Sequence, residues 1–251
     1  METDGAAALG PARWLLAISM MMMCAESGAE LPPERRAMLA AIETSVRESA
    51  GYTGRSELDA DVLDALGAVP REAFVPPAYR HAAYRNTPLP IAAGQTISQP
   101  LIVALMTDLL DPQPGDVILE VGTGSGYQAA VLAELVDRVY SVEIVETLAT
   151  GASALLERLG YDNVTVRSGD GYAGWPEHAP FDGIIVTAAA EALPPPLLAQ
   201  LKPGARLVIP LGEHDGFQQL LVVEVDDTGE VRRRAVLPVA FVPLTRQESQ
   251  R

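Results

Sequence analysis

Residues that bind metals or form cross-links are scarce in this chain. One cysteine, Cys24, among 251 residues leaves no pair for an internal disulfide framework. Three scattered histidines, His81, His178 and His214, follow no metal-ligand spacing and read as incidental surface residues, so no metal is expected. Basic residues are few: 18 Lys and Arg stand against 33 Asp and Glu, a net charge of −15, which argues against a nucleic-acid partner. Long apolar runs are also missing. The run WLLAISMMMMC over 14–24 is eleven residues, too short to cross a bilayer but the right length for a signal-peptide core.

That run makes the N-terminus ambiguous. Arg13 precedes it and Ser27–Ala29 offers small residues for cleavage, whereas Glu2 and Asp4 stand where an export signal carries basic residues. Residues 1–30 are therefore read as a leader or tail outside the fold. A cleaved signal and a misassigned start codon are the competing readings. A cytoplasmic monomer is expected, with export the alternative. Residues 31–251 have the size of one α/β domain with additions.

The best-marked stretch is VILEVGTGSG, Val117 to Gly126. An apolar strand runs into three alternate glycines and then an apolar helix from about Tyr127 to Val136. Glycines at 122, 124 and 126 can take positive φ and bring bare main chain against a ligand at a helix start. The spacing is one residue shorter than the dinucleotide fingerprint. Glu120 near the strand end suits the cationic amino end of a methionine moiety and would repel a pyrophosphate. Glu143 closes the next apolar run, where an acidic residue usually holds a ribose diol. These features favour S-adenosylmethionine (SAM) over NAD.

Around this centre, helices are expected over 32–48, 58–66, 101–110, 146–159 and 191–201. Strands are expected over 117–121, 139–143, 164–168, 183–188 and 206–211, a βαβ series forming a largely parallel sheet. Two more strands, 220–225 and 231–236, flank Asp226–Glu230 as a hairpin at an antiparallel edge. Thr187 and Asp170 fall at strand ends, where open α/β sheets bind ligands. Asp170 can accept a bond from an adenine amino group or close a turn beside its glycines. Asp182 is expected to orient a strand. Residues 86–100, ahead of the 101–110 helix, form either a polar lip over the pocket or an N-cap through Ser98. No nucleophile elbow is present, since Ser125 lacks histidine and acid partners in hydrolase order.

The segments VPREAFV (69–75), PLPIAAGQTISQP (88–100), LEVGTGSGYQ (119–128), GDG (169–171), FDGIIVTAA (181–189) and FVPLT (241–245) together resemble the protein-L-isoaspartate O-methyltransferase family, collinearly over about 34–250. The resemblance implies a Rossmann-like SAM-dependent methyltransferase with an N-terminal helical extension and covering loop over 31–100. It implies methyl transfer to the α-carboxyl of L-isoaspartyl residues, and more weakly of D-aspartyl residues, in damaged proteins. It assigns Ser98 as the active-site serine and Gln95, Thr96 and Ile97 as the rest of the cofactor-covering loop. Glu143 with Ile144 would hold the ribose, Asp170 with Gly171 the adenine side, and Thr245 with Gln250 would close over the cofactor. Ala92 and Ala205 depart from glycines common in the family. A SAM-dependent O-methyltransferase of a small carboxylate or hydroxyl acceptor is the alternative. A carboxylate acceptor is already ionised at neutral pH, so the lack of a general base is compatible with an O-methyltransferase acting on carboxyl groups.

Overall fold

A computed structural model describes residues 31–213, 216–226 and 228–246. The expected leader, Cys24, His214 and Gln250 lie outside the described residues. The compact unit is Pro33–Arg251. No helix among the described residues is long and apolar enough to cross a membrane.

Two helices open the unit, α1 (Pro33–Thr53) and α2 (Ala60–Ala68). Met38, Ile42 and Val46 recur at helical spacing and are buried, which sets the inward face of α1. The helix runs five residues past its expected end, through Gly51, because Thr53 is also buried and its hydroxyl is within hydrogen-bond distance of Ser49 and Arg55 carbonyls. Short strands β1 (Leu89–Pro90) and β2 (Thr96–Ile97) then pair antiparallel as a small hairpin ahead of α3 (Pro100–Leu110). Ser98 does not cap α3. Gln99 holds the capping position without a side-chain bond, and Pro100 starts the helix with its φ already set.

The sheet proper consists of β3 (Val117–Val121), β4 (Arg138–Glu143), β5 (Val164–Ser168), β6 (Phe181–Val186), β7 (Leu201–Gly212), β8 (Gln218–Val225) and β9 (Val231–Val239). Helices α4 (Tyr127–Ala133), α5 (Glu146–Leu159) and α6 (Pro195–Leu198) connect its parallel members. The spatial order is β5-β4-β3-β6-β7-β8-β9, parallel from β5 to β7 and antiparallel through β8 and β9. This is the doubly wound sheet with an antiparallel edge that the sequence leads one to expect. The expected helix over 191–201 shrinks to one turn because Pro194, Pro195 and Pro196 withhold amide donors.

Buried apolar side chains cover both faces of the sheet, with Ile118, Val139 and Ile185 in one cluster and Leu119, Val142 and Ile184 in the other. Asp182 orients strands as expected: it accepts from the Val117 amide at 3.0 Å and from Lys202 at 2.6 Å. The chain leaves β3 toward β4 and later returns to β6 on its other side, so the switch point lies at the carboxyl ends of β3 and β6.

Candidate active site

Bare main chain is a steric requirement at that switch point. Gly122, Gly124 and Gly126 have φ of +100°, +53° and +88°, values that L side chains rarely adopt. A Cβ on Gly122 would lie 2.4 Å from Thr187 Oγ1, whose hydroxyl donates to the Gly122 carbonyl at 2.6 Å. Thr187 thus ties the end of β6 to the start of the glycine turn. From the other side Glu143, at the end of β4, accepts the Gly124 amide at 2.8 Å and the Val145 amide at 2.9 Å, one on each carboxylate oxygen. Each oxygen keeps a lone pair for a ligand.

These groups border a cleft of about 820 Å³ counting its open mouth. Four expected site residues, Gln95, Thr96, Ile97 and Ser98, form one wall. They belong to the β1–β2 lip, whose Ile91 side chain lies 3.7 Å from where a Gly124 Cβ would stand. Gly122, Gly124, Glu143, Ile144, Gly171 and Thr245 also line the cleft, together with Thr187. The segment leading to Thr245 is laid in by main-chain bonds: Ala189 donates to the Val242 carbonyl at 2.8 Å, and Leu244 donates to the Ala189 carbonyl at 2.7 Å.

Three expected site residues are not among those lining the cleft. Glu120 is outside the wall: alternation along β3 turns Val121 to the cleft and buries Glu120 completely beneath the glycine turn. Its Oε2 lies 2.5 Å from Ser141 Oγ, which is 2.5 Å from Thr123 Oγ1, and its Oε1 has no partner. Burial pushes its pKa up to about 8, against the opposing effect of the Ser141 bond and with help from Glu143. A carboxyl held neutral does not balance a ligand ammonium. Gly126 faces away, toward Ala152 and Leu156 of α5, so its role is to let α4 pack. Asp170 sits beside the cleft with one oxygen accepting the Tyr172 amide at 2.9 Å and the other 3.8 Å from Arg246. Its neighbour Gly171 forms the wall, where a Cβ would meet Val121 Cγ1 at 2.4 Å.

Other wall residues were not assigned from sequence. Thr123, Tyr127, Gln128 and Val242–Leu244 all line the cleft, and the first three lie within the LEVGTGSGYQ segment without any type-specific signal. Arg71 is not in the wall but holds it. Fully buried, it donates to the Ala83 carbonyl at 2.8 Å and to the Ser98 carbonyl at 2.6 Å.

No Lys or Arg is among the described residues lining the cleft, and Glu143 is the acid facing it. Such a wall offers a diphosphate no counter-charge. It suits an uncharged nucleoside carrying a cationic group, and glycine main chain leaves room for it. The whole-chain comparisons agree. The family model described as protein-L-isoaspartate(D-aspartate) O-methyltransferase matches residues 52–249. The chain belongs to the protein-L-isoaspartate O-methyltransferase family. Within this methyltransferase family, a protein-L-isoaspartate O-methyltransferase 2 of Syntrophobacter fumaroxidans is 56% identical over 92% of this chain and 94% of its own length. Its namesake in a Polaromonas species is 57% identical over 84% of this chain and all of its own. Among solved structures, a Plasmodium falciparum protein titled as a putative member in complex with S-adenosyl-L-homocysteine (SAH) superposes with a TM-score of 0.69, at 26% identity. That match covers 85% of this chain and 99% of that one. Another solved protein-L-isoaspartate O-methyltransferase gives 0.72 at 27% identity, covering 83% of this chain and 65% of that one.

Proposed function

We propose that this protein repairs damaged proteins by moving the methyl group of SAM to the α-carboxyl of L-isoaspartyl, and more weakly D-aspartyl, residues. The observation that carries the reading is the cleft itself: a glycine turn, one ribose-suited carboxylate, no cation among its described lining residues, and a serine on the facing lip. Bound SAM supplies an activated methyl group on a sulfonium.

The protein's contribution is alignment and exclusion of water. Glu143 takes the ribose hydroxyls on its free lone pairs while its amide bonds keep it from swinging. Ile144 packs beside it, and Asp170 and Gly171 bound the adenine end. Gln95, Thr96 and Ile97 cover the cofactor from the lip, and Thr245 closes over it from the C-terminal segment. Ser98 donates a hydrogen bond that orients the acceptor carboxylate, which is ionised at neutral pH and needs no base. Its hydroxyl is available for this, because it neither caps α3 nor bonds another described group. The enzyme works as a monomer in the cytoplasm, where SAM is made, on isoaspartyl-containing proteins and peptides.

The test is direct. Purified protein is incubated with methyl-labelled SAM and two peptides differing only in Asp or isoAsp linkage, and base-labile methyl ester is counted. Ester on the isoAsp peptide alone is expected. Equal labelling of both, or none, sinks the assignment.

A further inference from the structure

Arg71 poses a problem that the methyl-transfer chemistry leaves open. Its guanidinium is fully buried, its Nη1 makes no well-aligned hydrogen bond, its nearest polar side-chain partner is the neutral Tyr127 hydroxyl, and it forms no ion pair with a described carboxylate. The adjacent Glu72 does not neutralise it, because that carboxylate is taken by the Tyr84 hydroxyl and lies 3.9 Å from Arg35. A buried cation with no carboxylate to balance it carries a large desolvation cost, and an apolar side chain of similar volume commonly serves a purely structural position as well or better.

Its position indicates what the charge is for. One amino group bonds the Ser98 carbonyl from behind the lip, while the guanidinium carbon lies 4.6 Å from the centre of the Tyr127 ring. Ser98 and Tyr127 are both cleft wall, so Arg71 stands directly behind two wall residues in a dry, low-dielectric layer. A carboxylate entering this cleft finds no Lys or Arg among its described lining residues to balance it.

Resting on the function proposed above, we propose that Arg71 is the positioning and specificity residue of the acceptor subsite. It fixes the Ser98 peptide and supplies, from behind the wall, the positive field that selects a carboxylate over an uncharged acyl group. Placing the cation one layer back also has a chemical advantage. A guanidinium bonded directly to the acceptor oxygens would occupy the lone pairs that must attack the methyl carbon, whereas a field through the peptide holds the anion and leaves them free.

The test compares wild type with Arg71→Met and Arg71→Lys. Melting temperature, SAH affinity by calorimetry, and kcat and KM for an isoAsp peptide are measured. The inhibition constant of the same peptide with its isoaspartyl α-carboxyl replaced by a carboxamide is measured alongside. Arg71→Met is expected to keep SAH affinity, to lose on the order of tenfold or more in kcat/KM chiefly through KM, and to bind carboxylate and carboxamide peptides nearly alike. Arg71→Lys, assayed at a pH low enough to keep its buried ammonium protonated, cannot span both carbonyls, so it is expected to retain the carboxylate preference at reduced kcat. Preserved preference in Arg71→Met, or loss of SAH affinity in step with peptide affinity, overturns the proposal. Should Arg71→Met fail to fold, lost preference in a folded Arg71→Lys overturns it equally. Absence of wild-type labelling refutes the function reading itself, a result distinct from unchanged selectivity in the variants.

Discussion

Ionisation of Glu120 should be visible in the stability of the whole protein. The carboxyl is completely buried, and burial lifts its pKa from 4.5 to about 8. An acid whose folded value exceeds its unfolded value stabilises the fold fully below the unfolded pKa. That contribution fades as the pH climbs and is gone above the folded one. At ~1.4 kcal/mol per pH unit, the window from 4.5 to about 8 carries on the order of 5 kcal/mol. Between pH 6 and pH 8 the loss is roughly 2 kcal/mol, because the last unit titrates only in part.

Glu120→Gln has nearly the same volume and cannot ionise. Urea unfolding of both proteins at about pH 6 and pH 8 isolates this group, since every other titration is shared. The stability of wild type relative to the variant is expected to fall by roughly 2 kcal/mol over that step. Because the chain of hydroxyls from Glu120 through Ser141 ends on Thr123 in the cleft wall, SAH affinity should weaken over the same interval in wild type and stay flat in Glu120→Gln. Parallel stability curves for the two proteins would refute the claim that the acid is held neutral.

Three further outcomes follow from the cleft. Gly122→Ala forces a Cβ to within 2.4 Å of Thr187 Oγ1 at a φ of +100°, and should cost ~1–3 kcal/mol of stability along with at least about a tenfold loss in SAH affinity by calorimetry. Glu143→Gln loses one of the two charge-assisted amide bonds and a ribose acceptor. SAH binding is expected to weaken by on the order of 2 kcal/mol, roughly thirtyfold, with the isoAsp KM little changed. Ser98→Ala should lower kcat for the isoAsp peptide while leaving SAH affinity and melting temperature intact, since no cap is lost; unchanged kcat would remove the serine from the mechanism.

What could be read from sequence divides according to where the physical constraint lies. Strands and turns that must present main chain to a ligand write themselves in residue type: the glycine turn, its strand over 117–121 and the acid closing β4 all emerge at nearly their observed limits, whereas the strand expected over 206–211 begins at Leu201. The paired edge is equally plain, because Asp226 closes its turn by accepting the Thr228 and Glu230 amides and Gly229 supplies a φ of +82°. The proline-rich stretch before β7 differs from the helix expected over 191–201, because the missing amide donors leave it a single turn.

The errors inside the site have a different origin. Glu120 and Glu143 are both acids at strand ends, and composition does not say which of them faces the cleft. One position of phase along a strand decides it, converting one carboxylate into a ligand group and the other into a buried neutral acid. Ser98 shows the same ambiguity at a helix start, where a serine two residues before a proline suits a cap until the backbone assigns that place to Gln99. Arg71 lay in a recognisable segment, yet its work depends on carbonyls 12 and 27 residues away, a separation over which residue spacing carries no signal. Residues that touch the ligand are thus legible through what the ligand demands of the chain. Residues one layer behind are legible only through what they cost, and Arg71 and Glu120 are conspicuous because each leaves a buried polar atom unpaired against the wall that it supports.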